Sequence, residues 1–237
     1  MYKEELIKDV YNFCKANYNQ ENVIKYSNYF KGDYDAWGLT IPMVRAKVKE
    51  LSKRKDIDLN VVLEAAPDVL KQGKYEEISI ILLLIDSFYK QFNISVYHEI
   101  EKLYLTGIDN WAHADTLAMF ILPKFVSQNI ITPNDLKKWL KAENKFQRRS
   151  IPVTLIKSLK TCTDFNDYFK IIESLMVDKD REVHQGVGWF LREAWKKNHE
   201  VTESFLLKWK DRAPRLIIQY ATEKMTKEEK LRFRKEK

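Results

Sequence analysis

Long apolar-rich segments recur in this chain at nearly equal steps, and that recurrence limits the fold more than any other feature. They begin near Lys74 (KYEEISIILLLIDSFYKQ), Asn110 (NWAHADTLAMFILPKFVSQN), Asn144 (NKFQRRSIPVTLIKSL), Asp180 (DREVHQGVGWFLREAWKKN) and Ala213 (APRLIIQYATEKM), at steps of 36, 34, 36 and 33 residues. Their apolar residues follow the 3.6-residue period of a helix. A shorter amphipathic segment lies between each pair: SVYHEIEKLYL, PNDLKKWLK, DFNDYFKIIESLM and VTESFLLKWK. A unit of two such helices cannot bury its own apolar face, so units must stack on their neighbours. The prediction is an all-α helical-repeat solenoid, read as a single domain over residues 1–237. The long helices are apolar over more of their circumference, which marks them as the inner series lining a concave side. Pro123 and Pro152 fall inside them, where a kink would favour curvature. An irregular helical bundle is the competing arrangement.

Helix starts are written into the sequence. Thr132-Pro133-Asn134-Asp135 combines an N-cap, a first-turn proline and an acid near the helix dipole. Thr40 precedes Pro42, Asp178 and Asp180 precede the fourth long helix, and Asp211 precedes Pro214. Only six Gly and six Pro in 237 residues argue against the many tight turns of a β-sandwich or barrel. Cys14 and Cys162 give neither a disulfide framework nor zinc spacing. MYKEELIKDVYNF begins an amphipathic helix and is not a signal peptide. The apolar run Ile78 to Ile85 is too short to span a bilayer. A reducing cytoplasm, a monomer and no membrane partner are the expectations.

Lys and Arg number 41 against 34 Asp and Glu, a net charge of +7, which fits an anionic partner or simply a basic surface. Cations cluster at Arg45, Lys47, Lys49, Lys53, Arg54 and Lys55, and again in the tail from Lys227 to Lys237. The nucleotide-binding loops GxxxxGK[ST] and GxGxxG are missing, as are HExxH and the GxSxG elbow. Neither a metal nor another cofactor is expected, and any catalysis must use carboxylates, aromatics and cations. Trp111 and Asp115, four apart, share one helix face. One repeat later come Arg148 and Arg149. Another repeat later Arg181, Gln185 and Trp189 fall on one stripe. Stacked side by side, these stripes would carry two indoles, a carboxylate and several cations. Indole faces attract a cationic alkylated purine, a carboxylate can stabilise charge on a sugar or orient water, and arginines clamp phosphates. Other readings stay open. Asp115 could equally belong to a structural ion pair with Arg148 or Arg149. His113 beside it fits a structural hydrogen-bonding role, and Trp139, Trp195 and Trp209 fit core positions.

NWAHADTLA, FQRRSIPVTLI and DREVHQGVGWFLREAWK, together with YFKGDYDAWGLTIPMVRAKVKEL, resemble the AlkD-type DNA alkylation-repair family from about Lys25 to Met225. The resemblance implies a HEAT-like solenoid whose basic concave face holds double-stranded DNA containing alkylated bases. It implies a monofunctional DNA glycosylase of base excision repair, acting at the nucleoid. Such an enzyme hydrolyses the N-glycosidic bond of N3- and N7-alkylated purines without flipping the base. It assigns catalytic roles to Trp111 and Asp115 in a WxxxD pattern and to Trp189 in GWxLRE. It assigns phosphate contact to the aromatic-x-R-R segment, Arg149 ahead of Arg148. Arg181, Gln185, Arg45 and Trp37 complete the expected DNA-binding set. His113 with its flanking alanines, and the aromatic GDYDAWGL segment, depart from the family pattern. Two non-enzymatic alternatives remain: a binder of distorted or branched DNA that does not need Asp115, and a protein-binding repeat scaffold without steep salt dependence of DNA affinity.

Overall fold

The computed structural model describes residues 2–235, so Lys237 of the basic tail lies outside the described residues. Among them are fourteen α-helices and no strand, an all-α helical-repeat fold. In chain order these are α1 (Tyr2–Ala16), α2 (Gln20–Ser27), α3 (Ile41–Leu51), α4 (Leu59–Gln72), α5 (Tyr75–Ser87), α6 (Ile94–Thr106), α7 (Trp111–Thr116), α8 (Leu122–Ser127), α9 (Lys145–Ser158), α10 (Phe165–Ile172), α11 (Arg181–Trp195), α12 (His199–Trp209), α13 (Arg215–Ala221) and α14 (Lys227–Leu231).

The starting residues marked by the period sit at helix entries. Lys74, Asn144 and Asp180 are the N-cap residues of α5, α9 and α11, and Asn110 immediately precedes α7. The last start lies slightly later than Ala213, because Pro214 with its fixed φ is the cap and the helix opens at Arg215. Two short segments expected as α-helix are wholly or partly 3₁₀: Pro133–Lys141, and Glu173–Val177 continuing α10. The first keeps its predicted cap, with the Thr132 N–H donating to Asp135 Oδ2 at 2.6 Å.

The chain divides into two compact units, one ending at Thr116 and the other beginning at Leu117. The division falls in the helical run that starts at Trp111. Residues Leu117–Ile121 form a π-helical turn, and α8 then begins with Pro123 in its first turn. Proline lacks the N–H for a regular i→i−4 bond and its ring crowds the carbonyl four residues back, so a wide turn before it relieves both.

In the first unit α5 packs against α1, α3, α4 and α7. Its apolar face is continuous, with Ile80, Ile81, Leu82, Leu84 and Ile85 fully buried. In the second unit α9, α11 and α13 lie in series, and the 3₁₀ segment 133–141, α10 and α12 form a second series packed on them. Every residue of α9 from Phe146 to Leu155 is buried. That explains why this helix reads apolar around its circumference and still has to house Gln147, Arg148, Arg149 and Ser150.

Candidate active site

In the first unit the polar network at the start of α7 is built around His113. Asn110 caps the helix: its carbonyl accepts the Ala114 N–H at 3.3 Å, and its Oδ1 accepts the His113 backbone N–H at 3.0 Å. The His113 ring is buried, stacked on Tyr75 at 4.6 Å between centroids. Nε2 lies 3.0 Å from the Tyr75 carbonyl oxygen, which can only accept, so Nε2 carries the proton. Nδ1 then accepts from Asn110 Nδ2 at 2.8 Å. Burial lowers the imidazole pKa to about 4, so the ring is neutral at pH 7. His113 therefore joins the first turn of α7 to the first turn of α5 by directional bonds without a buried charge.

Trp111 and Asp115 follow from that anchor, four residues apart on α7. Trp111 is 39% exposed, its ring stacked on Phe30 at 5.5 Å, and its indole N–H donates to the Tyr29 carbonyl at 3.3 Å. Phe30 is stacked in turn on Tyr34 at 4.6 Å. Asp115 is part-exposed. An aromatic box of Phe30, Tyr34 and Tyr75 thus backs the indole. The aromatic segment around Tyr34 was legible as unusual in the sequence. Its packing against Trp111 was not, because the partners lie some eighty residues apart.

Trp37 and Arg45 also belong to the first unit. The Trp37 indole N–H donates to Glu77 Oε1 at 2.7 Å, the Lys74 ammonium sits 4.7 Å from its ring centroid, and Tyr11 and Tyr18 meet it edge-on. The buried Glu76 carboxylate accepts the backbone N–H groups of Trp37, Gly38 and Leu39 at 2.7, 2.9 and 3.1 Å. Burial raises the Glu76 pKa, and those three donors work against the shift. Gly38 has φ +77°, and a Cβ there would meet the Asn19 carbonyl at 2.2 Å, so only glycine lets this segment make its bend. Arg45 is exposed on α3. Of its cluster, Lys47 is buried against Asp9 and Glu50, and Arg54 binds Asp9 and Asp56.

In the second unit Arg148 is buried, and its guanidinium is spent internally. Nε donates to Asp178 at 2.7 Å, Nη1 to the carbonyls of Ala142 and Glu143 at 2.6 and 3.0 Å, and Nη2 to Asp178 and Asp180. Asp180 thus supports Arg148 and makes no side-chain cap on α11. Arg149, also buried, donates to the Glu182 carbonyl at 2.7 Å. Arg181 is exposed, and Gln185 donates to the Tyr220 hydroxyl at 2.9 Å. Trp189 is part-exposed. It follows Gly188, where a Cβ would lie 2.5 Å from Tyr220 Cβ and 2.9 Å from the Ile217 carbonyl. The small residue before this tryptophan is the condition for α11 to approach α13. Trp139, Trp195 and Trp209 are buried. Among the described residues no group of three or more His, Cys, Asp or Glu could hold a metal ion, and no helix is long and apolar enough to cross a membrane.

Against known proteins, a family described as DNA alkylation repair enzyme matches residues 14–225. No curated protein matches the chain. A solved structure described as a predicted DNA alkylation repair enzyme from Enterococcus faecalis has a similar fold. It superposes with a TM-score of 0.71 at 17% identity, over 89% of this chain and 98% of that one. With the family match running over most of its length, the chain belongs to the DNA alkylation repair enzyme family.

Proposed function

We propose that this DNA-repair protein is a monofunctional glycosylase for cationic N3- and N7-alkylated purines in duplex DNA. The observation that carries the reading is the pairing on α7: a half-exposed indole on an aromatic backing, with a part-exposed carboxylate one turn further on. When the bond between C1′ and the purine nitrogen breaks, its electron pair leaves with the base and neutralises the lesion's positive charge. Positive charge then develops on the sugar. Asp115 would stabilise it and accept a proton from the water that attacks C1′. The lesion is already a good leaving group, so no general acid is required and the base need not enter a pocket. Trp111 would lie against the lesion nucleotide's sugar and backbone, and the family resemblance assigns a catalytic role to Trp189 as well.

The proposal gives the arginines unequal parts. Arg149, Arg181 and Arg45 are assigned to phosphates, Arg149 by turning from the Glu182 carbonyl. Arg148, with both carboxylates in hand, holds the entry to α11, and Gln185 and Trp37 support their own units in the same way. Double-stranded DNA carrying alkylated bases is the proposed partner, bound by a monomer.

The test is release of 7-methylguanine and 3-methyladenine from methylated duplex DNA, wild type beside Asp115→Asn. Loss of one electrostatic contributor costs about 10²–10³-fold in rate. Release by the wild type with that loss in a folded variant is the expected result. No release from either, with DNA affinity still falling steeply as salt rises, would replace this reading with a non-catalytic DNA binder.

A further inference from the structure

The turn after α2 presents a ring that the proposed chemistry does not use. Tyr29 is 67% exposed, more than any other large aromatic side chain exposed among the described residues. Its backbone is nevertheless fixed. Its N–H donates to the Tyr26 carbonyl at 3.0 Å, and the next N–H, of Phe30, donates to the Ser27 carbonyl at 2.9 Å. Its own carbonyl takes the Trp111 indole N–H at 3.3 Å. Phe30, immediately after it, stacks on Trp111 and on Tyr34. One residue of the pair is thus the backing of Trp111. The other is held one hydrogen bond from Trp111 with its ring turned outward and in contact with no other aromatic ring among the described residues. Lys25 and Lys31 flank it in the sequence, and the Lys25 ammonium lies 5.9 Å from the Tyr26 ring centroid.

We propose that Tyr29 is a stacking wedge, entering the base stack of duplex DNA at the step beside the nucleotide whose sugar lies on Trp111. The proposal rests on the role given to Trp111 above. Successive bases along one strand are about 3.4 Å apart, so a side chain anchored one hydrogen bond from Trp111 reaches the neighbouring step. Side chains that part a base step gain stacking on the exposed base and strain the duplex locally. Insertion beside the lesion opens the backbone at the sugar under attack while the damaged base stays in the helix. It also favours damaged over intact DNA, because a step next to a lesion is easier to part.

The experiment uses a duplex with a tetrahydrofuran abasic analogue and 2-aminopurine as the neighbouring base. The 2-aminopurine emission and the affinity are measured for wild type, Tyr29→Ala and Tyr29→Phe. Tyr29→Ala leaves the backbone carbonyl and therefore the Trp111 hydrogen bond, and tryptophan emission of the free protein checks that the indole has not moved. Wild type and Tyr29→Phe are expected to raise the emission on binding. Tyr29→Ala is expected to lose the rise and to bind this duplex about tenfold more weakly, with affinity for undamaged duplex unchanged. A rise retained by Tyr29→Ala, or wild-type binding without any rise, overturns the wedge. Base release by the wild type together with either of those results would leave the glycosylase standing and remove only the wedge. A Tyr29-dependent rise without base release would do the reverse.

Discussion

The first turn of α7 and the contact between α9 and α11 both hold polar side chains inside packed helices, and they do it with different chemistry. At α7 the buried group is a neutral imidazole whose two nitrogens are matched to one acceptor and one donor, the Tyr75 carbonyl and the Asn110 amide. At α9 it is a full charge, Arg148, matched to two carboxylates and two carbonyls. The neutral anchor costs little to bury, and it leaves Trp111 and Asp115 on the accessible side of the same helix. The charged anchor demands that every donor be answered, and nothing of Arg148 is left over for a ligand. Charge alone therefore does not say whether an arginine of this molecule meets a ligand or answers buried carboxylates and carbonyls.

The sharpest way to break the contrast is Arg148→Ala. Both side chains of its pair with Asp178 are under a tenth exposed, and removing one partner leaves a buried uncompensated carboxylate, a loss of about 3–5 kcal/mol. Urea unfolding should show it. A small loss of stability coupled to a large loss of DNA affinity would return Arg148 to the phosphate contacts.

At His113 the effect is smaller and depends on pH. Burial depresses the folded pKa from 6.5 to about 4. Between those values the unfolded chain binds the proton and the native chain does not. The stability present above pH 6.5 is therefore lost as pH falls towards 4, by on the order of 3 kcal/mol. His113→Gln does not titrate, so its deficit against wild type should be largest near pH 7.5 and should close towards pH 4.5. A gap that stays constant would mean that the ring is protonated in place, and the neutral anchor would be wrong.

How much of this was legible follows the range of the interaction. Helix entries were readable at Asn110, Asn144 and Thr132 because a cap is local: the Asn110 and Asn144 side chains accept backbone N–H groups two or three residues on, and the Thr132 N–H donates to the side chain of Asp135. The pairing of Trp111 with Asp115 was readable because four residues is one helical turn. The aromatic backing of Trp111 and the Tyr75–His113 contact join segments far apart in sequence, and no local pattern encodes them. Arg148 and Arg149 were readable as a basic pair, but a sequence does not show that both are buried, Arg148 against Asp178 and Arg149 against the Glu182 carbonyl. The 3₁₀ form of Pro133–Lys141 and the π turn before Pro123 escaped for a related reason, since both keep helical periodicity closely enough that the apolar pattern looks α-helical.

The smallest effect separates two glycines on α11 that look equivalent in the sequence. A Cβ at Gly186 would lie 3.0 Å from Arg149 Cγ and 3.2 Å from the Arg149 carbonyl; at Gly188 it would lie 2.5 Å from Tyr220 Cβ and 2.9 Å from the Ile217 carbonyl. The nearer obstacle at Gly186 is a methylene of a long side chain, which can shift by a few tenths of an ångström. The obstacles at Gly188 are a Cβ and a backbone oxygen, which move only if α13 moves. Replacing glycine by alanine inside a helix contributes up to about 1 kcal/mol of stability before any clash is counted. Gly186→Ala should therefore come out near neutral, the propensity gain offsetting a mild overlap. Gly188→Ala should destabilise by about 1–3 kcal/mol and should also change the fluorescence of Trp189, the next residue on the helix. Equal costs at the two positions would mean that α13 yields as easily as the Arg149 side chain, and that the glycine before Trp189 is not what sets the approach of α11 to α13.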